Sequence, residues 1–274
     1  MLSLTSRWLT RTLAALYAIL GAILFLAPEW SAASFSWKIS PFVAMTIGGW
    51  CLGNAAFAWE GARVWRWSIV HPLLIYLWLF GLLETTVLIT FSDRVILDVP
   101  LAWPYIGTLL LTILAGLLGV IDWLRLRPPL TPEGAPMSRT ARGLIVFFVV
   151  FVGALAVGGA QAQPGGLSTE GGIFPEKLTL FTVRAFAAFY AALSLAALPL
   201  IWAKGMAPVL AVGRAGIGLI VPITAAAIVN FDKFDFAARP GGLLYFAAYL
   251  GTLVVTVVLL VRARARRAAV EGSA

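Results

Sequence analysis

Charge is what this sequence most lacks. Only 12% of its 274 residues are Asp, Glu, Lys or Arg, about half the usual globular share, and 61% are apolar. That balance excludes a disordered chain and an ordinary soluble domain. Cysteine is nearly absent as well: Cys51 stands alone, so neither an intrachain disulfide nor a cysteine metal cluster can form. The single histidine, His71, excludes bis-histidine haem ligation and His-rich zinc sites within one chain. There is no GxxxxGK[ST] phosphate loop, no HExxH and no GxSxG elbow, and no stretch outside the apolar segments has room for a nucleotide domain. An intramembrane Ser-His pair would need His71, and no serine lies at matching depth. Enzyme is therefore the least favoured class, and no cofactor is expected.

What is present is apolar length. Eight segments stand out, at about 10–27, 41–60, 68–91, 104–124, 142–160, 178–203, 207–231 and 243–261. Each approaches the roughly 20 residues that one crossing requires. None alternates as a porin strand does, and backbone groups in lipid must be paired internally, so the fold class is an all-α integral membrane bundle.

Orientation follows from the basic residues. With the N-terminus inside, the inner segments carry Arg7, Arg11, Arg63, Arg66, Arg125, Arg127, Arg139, Arg142, Lys204, Arg262, Arg264, Arg266 and Arg267. The outer ones carry Lys38, Arg94, Lys177, Lys233 and Arg239. The bias places both termini in the cytoplasm. Sixteen Arg against four Lys, with abundant Ala and Gly, suggests a GC-rich bacterial source and hence a bacterial plasma membrane. The net charge of +8 sits at helix ends rather than on one solvated face, so no nucleic-acid partner is expected. Membrane lipids and other membrane subunits are the expected partners, with the tail Arg262, Arg264, Arg266 and Arg267 fixing topology and attracting anionic lipid. Residues 7–27 imitate a signal peptide and Ala160-Gln161-Ala162 a cleavage site; both are read as parts of uncleaved helices.

The chain resembles itself at an offset of 139 to 140 residues. Phe35-Ser36-Trp37-Lys38-Ile39 aligns with Phe174-Pro175-Glu176-Lys177-Leu178, Phe91 with Phe231, Pro100 with Pro240 and Tyr105 with Tyr245. These matches predict two parallel four-helix repeats related by a pseudo-twofold axis along the membrane normal. The division is 1–127 for the first repeat, 128–141 for a cytoplasmic linker rich in proline, 142–267 for the second repeat and 268–274 for a tail.

Ionisable side chains within a span are the leading functional candidates: Glu84, Arg184 and Arg214. Glu84 precedes Phe91 by seven residues and Arg184 follows Lys177 by seven, which puts both about 10 Å below the outer surface, a depth at which they could meet as an ion pair. Arg214 lies about 12 Å from the inner side, with Asp122, Glu60 or a bound anion as its possible partners. The plainer alternatives are a structural Glu84–Arg184 staple and an Arg214 that snorkels to the inner headgroups. Met45 and Leu74 occupy the repeat-equivalent positions, so a cationic site would belong to the second half alone.

Gly213, Gly216, Gly218 and Pro222 interrupt the seventh long helix, as Pro72 and Gly81 interrupt the third. Such breaks serve as hinges or substrate contacts in transporters, or simply as close packing, as Gly49 and Gly53 at GxxxG spacing would. Asn230 is read as a cap, His71 as an interfacial contact, and Asp93, Asp98, Asp232 and Asp235 as solvated loop charges. The expected function is a small transporter or permease-like protein for an anionic or amphiphilic solute bound between the repeats through Arg184, Arg214 and Glu84. The alternative is a non-catalytic subunit of a larger membrane assembly, presenting a tryptophan-rich face that includes Trp50 and Trp78.

Overall fold

The computed structural model describes residues 1–170, 172 and 174–271, with side chains at all of these except 264 and 266–271. Of the expected tail, residues 272–274 lie outside the described residues, as do the side chains of Arg264, Arg266 and Arg267. The described residues form nine α-helices: α1 (Leu4–Leu26), α2 (Pro28–Ala33), α3 (Pro41–Val64), α4 (Trp67–Thr90), α5 (Ala102–Leu126), α6 (Arg139–Ala160), α7 (Leu180–Ile201), α8 (Ala207–Val229) and α9 (Gly241–Glu271). All but α2 are long and apolar enough to cross a membrane, so the chain is a polytopic membrane protein built as a helical bundle.

Local chemistry sets the helix starts. Ser3, Ser40, Ser138 and Thr179 each cap a helix, the hydroxyl accepting from the backbone N–H three residues on at 3.1–3.2 Å. This satisfies one of the orphan donors of the first turn. Pro41 at the first turn of α3 has no amide proton to waste. Capping by Ser138 starts α6 at Arg139, three residues before the first apolar position marked in the sequence.

Packing is unequal. Helix α3 is central, with 83% of its span buried, and α9 peripheral, with 6%. At the centre α3 packs on α8 and α4 on α7, and α4 also meets α8. Outside them α1 packs on α3 and α5, α6 on α7, and α9 closely on α8 alone. Small residues set the close crossings: a Cβ on Gly48 would lie 2.8 Å from the Phe25 amide nitrogen, and one on Gly53 2.3 Å from Leu219 Cδ1. Trp50 and Phe189 stack in the middle of the bundle, 4.7 Å apart and 9° from parallel.

Two sets of polar contacts mark the two ends. At one end Asp122 accepts from the Ser6 hydroxyl at 2.6 Å and from the Ser3 amide at 2.9 Å. Arg7 Nε donates to the Ala62 carbonyl at 2.8 Å. The linker docks here, because Met137 N donates to Lys204 O at 3.0 Å and Met206 N to Ala135 O at 2.8 Å. At the other end the Trp37 indole donates to Thr182 at 3.2 Å, Lys233 meets Glu176 at 2.7 Å, and Ser40 donates to the same Glu176.

Candidate functional site

Of the three intramembrane ionisable residues, the two at matching depth do not pair. Arg184 Nη1 donates to Gly159 O at 2.7 Å and Nη2 to Ala162 O at 3.0 Å. Its fork thus closes the C-terminal end of α6, where carbonyls have no partner within the helix and a cation is favoured by the dipole. Glu84 is 1% exposed, and its Oε1 has no hydrogen-bond partner among the described residues. It shares the first-half interior with Tyr17, Cys51, Tyr76 and Tyr105, within electrostatic range of all four. The Glu84–Arg184 ion pair is corrected: the backbone of α6 offers Arg184 acceptors nearer than the carboxylate of α4 does.

Arg214 meets Glu60. Its Nε donates to Oε1 at 2.7 Å and its Nη2 lies 2.6 Å from the same oxygen. Oε2 of Glu60 accepts from Arg63 at 2.7 and 3.0 Å. One buried carboxylate therefore bridges two guanidiniums, while Asp122 is occupied by the start of α1. The turn between α3 and α4 fixes the geometry. Trp65 adopts a left-handed conformation, φ 45°, with its amide bonded to Gly61 O and its indole to Leu2 O. This sharp reversal sets Arg63 and Arg66 on either side of it. Arg66 Nη1 pairs with Glu133 of the linker at 2.7 Å, and Ser68 donates to that same carboxylate.

Arg63, Arg66, Arg214 and Glu133 line a pocket of about 400 Å³ together with Val64, Ile69, Gly134, Leu210 and Leu260, and Glu60 supports it from behind through Arg63 and Arg214. Its three guanidiniums face two carboxylates, leaving the site net positive. Arg63 and Arg66 are about half exposed and Arg214 about one third, so all three are accessible to a ligand. Sequence reasoning treated Arg63 and Arg66 as topology markers. The Glu60-x-x-Arg63 spacing was the one available signal, since residues three apart share a helix face.

A second cavity, of about 220 Å³, runs along α6, α7, α8 and α9, with Phe57, Pro72 and Tyr76 from α3 and α4 at its back. Its walls are apolar over Ala141–Leu155 of α6 and Leu244–Leu260 of α9, some 20 Å of helix. The polar groups are tyrosines and threonines: Tyr190 and Tyr249 hydroxyls lie 3.3 Å apart, and the buried Tyr245 hydroxyl has no partner among the described residues. Leu210 and Leu260 line both the cleft and the arginine pocket, so the two adjoin.

Of the interrupting residues, Gly213 and Gly216 face this cleft. A Cβ at Gly216 would meet nothing within 4 Å. Gly218 instead presses on Ala56 of α3, 2.5 Å from where its Cβ would be, and Pro222 lies inside α8 without joining the lining. Asn230 donates to Ala226 O at 2.9 Å, and His71 Nδ1 lies 3.0 Å from Trp67 O. The tryptophan face also needs correction. Trp50 is fully buried against Phe189 and presents no surface to a partner, whereas Trp78 is half-buried over Gly116 and Gly119 and Trp8, Trp30, Trp59, Trp103 and Trp123 are exposed.

No protein-family model, curated protein or solved structure matches this chain.

Proposed function

We propose that this protein is a small transporter or permease-like carrier of an amphiphilic solute, whose apolar body lies in the cleft between α6 and α9. The observation that carries this reading is an apolar intramembrane cleft that adjoins a cationic pocket at one end of the bundle, with Leu210 and Leu260 in the walls of both. A soluble polar solute would find few partners along walls that are mostly Leu, Val, Phe and Ala, whereas an acyl or isoprenoid body matches them. Arg214 belongs to the site. Arg184 and Glu84 fall outside it, and Gly213 and Gly216 serve as its smooth wall.

The same reading takes the bundle as two parallel four-helix repeats. Several pairs of features 139 residues apart support it: the caps Ser40 and Thr179, the 3-10 turns Ser92–Arg94 and Phe231–Lys233, and the stacked Trp50 and Phe189. Phe35 against Tyr105 at 5.0 Å has its counterpart in Phe174 against Tyr245 at 6.1 Å. The crossed contacts α3 with α8 and α4 with α7 are what a twofold axis through the Trp50–Phe189 stack would generate. The arginine pocket and both termini are assigned to the cytoplasmic face of a bacterial inner membrane on the distribution of basic residues.

Reconstitution in vesicles tests the carrier role. The wild type is expected to speed transbilayer movement of a fluorescent fatty acid or lysolipid, and Gly216→Leu and Gly213→Leu, which fill the cleft, are expected to abolish the gain. Equal flux with and without protein overturns the proposal, as does unchanged flux in both filled variants. The alternative, a subunit of a larger assembly, draws on α9, which packs closely on α8 alone. Native purification that returns a stoichiometric second chain would favour it.

A further inference from the structure

The pocket beside the cleft carries more information than the cleft itself, because it specifies one end of the ligand. We propose that Arg63, Arg66 and Arg214 form a head-group subsite for the phosphate of an anionic phospholipid, drawn from the leaflet they face, whose acyl chain enters the cleft. This rests on the amphiphile reading above and adds the chemistry and direction of the bound molecule.

The first argument is donor supply. Arg66 commits only Nη1 to Glu133, and Arg214 commits Nε and Nη2 to Glu60. Arg66 Nε and Nη2 and Arg214 Nη1 have no protein acceptor among the described residues. Guanidinium forks match phosphate oxygens in shape and are weakly enough hydrated to bind them at an interface. The second argument is charge. With two carboxylates among three arginines the pocket keeps one net positive charge, so a monoanionic phosphodiester neutralises it, while a zwitterionic headgroup adds a cation that the arginines repel. Glu60 and Glu133 hold the guanidiniums in position when the pocket is empty.

The third argument is reach. The cleft extends along some 20 Å of helix from the pocket, more than the depth of one leaflet of a hydrocarbon core about 30 Å thick. A chain whose head is held at the pocket thus finds an apolar path to the tyrosines Tyr190 and Tyr249. Leu210 and Leu260, common to both cavities, mark the junction between head and tail.

The full chain in mild detergent, incubated with equal amounts of dioleoyl phosphatidylglycerol and dioleoyl phosphatidylcholine, provides the test by native mass spectrometry. The wild type is expected to retain the phosphatidylglycerol preferentially. Arg63→Gln with Arg66→Gln is expected to lower that preference about thirtyfold, if each arginine acts with the strength of one basic residue near an anionic surface, while one lipid of either kind is still retained. Arg66→Lys, which keeps the charge, is expected to recover part of the preference and thereby separates recognition from misfolding. Gly216→Leu is expected to lose both lipids. Equal retention of the two lipids by the wild type, or an unchanged preference in the double glutamine variant, overturns the head-group subsite even if the cleft binds. Lipid retention that ignores Gly216→Leu overturns the cleft itself. Displacement of the phosphatidylglycerol by inorganic phosphate at millimolar concentration would mark a free-anion site and also overturn the lipid assignment.

Discussion

Tyr17 on α1 reaches Thr112 on α5 with its hydroxyl 2.9 Å from the threonine oxygen, and together with Leu13 and Leu20 it fills the interior of the first four long helices. Among the last four long helices, the space between α6 and α9 is a cleft. Thr252 keeps the place of Thr112 and bonds back to its own helix at 2.6 Å, as Thr112 does at 2.7 Å. No tyrosine from α6 meets it, because α6 contains none, and Val152 lines the cleft from that helix. The first four long helices are thus closed by a side chain, while the last four leave a cleft. The lesson is that interior volume here is set by a few large side chains and not by the arrangement of helices. A buried aromatic fills 150–250 Å² of contact, and where it is missing the neighbouring helices do not collapse onto the gap.

Two glycines separate the closed interior from the open cleft. Gly48→Leu in the closed half forces a side chain into the Phe25 backbone and is expected to destabilise by about 3 kcal/mol. Gly216→Leu in the open half is expected to change stability by no more than about 0.5 kcal/mol. Thermal unfolding in detergent reads both, and similar losses would show that the cleft is not open space. Next in size is Arg184→Leu, which strips two carbonyls at the end of α6 of their charged donor and is expected to destabilise by about 2 kcal/mol. Amide exchange should quicken at the C-terminal turn of α6 and not at α3 or α4. Uniform quickening would mean that Arg184 acts on the whole bundle. The smallest effect is expected for Tyr17→Phe, about 1 kcal/mol for the lost hydrogen bond, since Thr112 retains its bond to Thr108. Gain of lipid binding in the first half by this variant would show that the hydroxyl, and not the ring, keeps it closed.

Much of the architecture was legible because lipid restricts the choices. Segment positions came from apolar length, and the starts of α3, α6 and α7 fall within a few residues of them, whereas α1 begins at Leu4, six residues before its marked segment, because Ser3 caps a first turn that carries Arg7. Partners across helices were not legible in the same way. Depth along the membrane normal placed Glu84 and Arg184 level with each other, but depth says nothing of the azimuth of a side chain around its helix. Arg184 turned toward the end of α6, its neighbour in the chain. The reverse happened at the other face, where Arg63 and Arg66 looked like topology markers until the tight turn at Trp65 and the docked linker brought Glu133 and Arg214 to them.

Composition and periodicity alone determined that this chain lives in a membrane as α-helices, because a backbone without water must bond to itself and 61% apolar content leaves few other solvents. They also determined that its rare charges had to be accounted for. Which charges meet, which half is filled and which is hollow were decided only by the tertiary structure. Those outcomes depend on helix rotation and on contacts between residues more than a hundred positions apart, such as Glu60 with Arg214, and no local pattern encodes them.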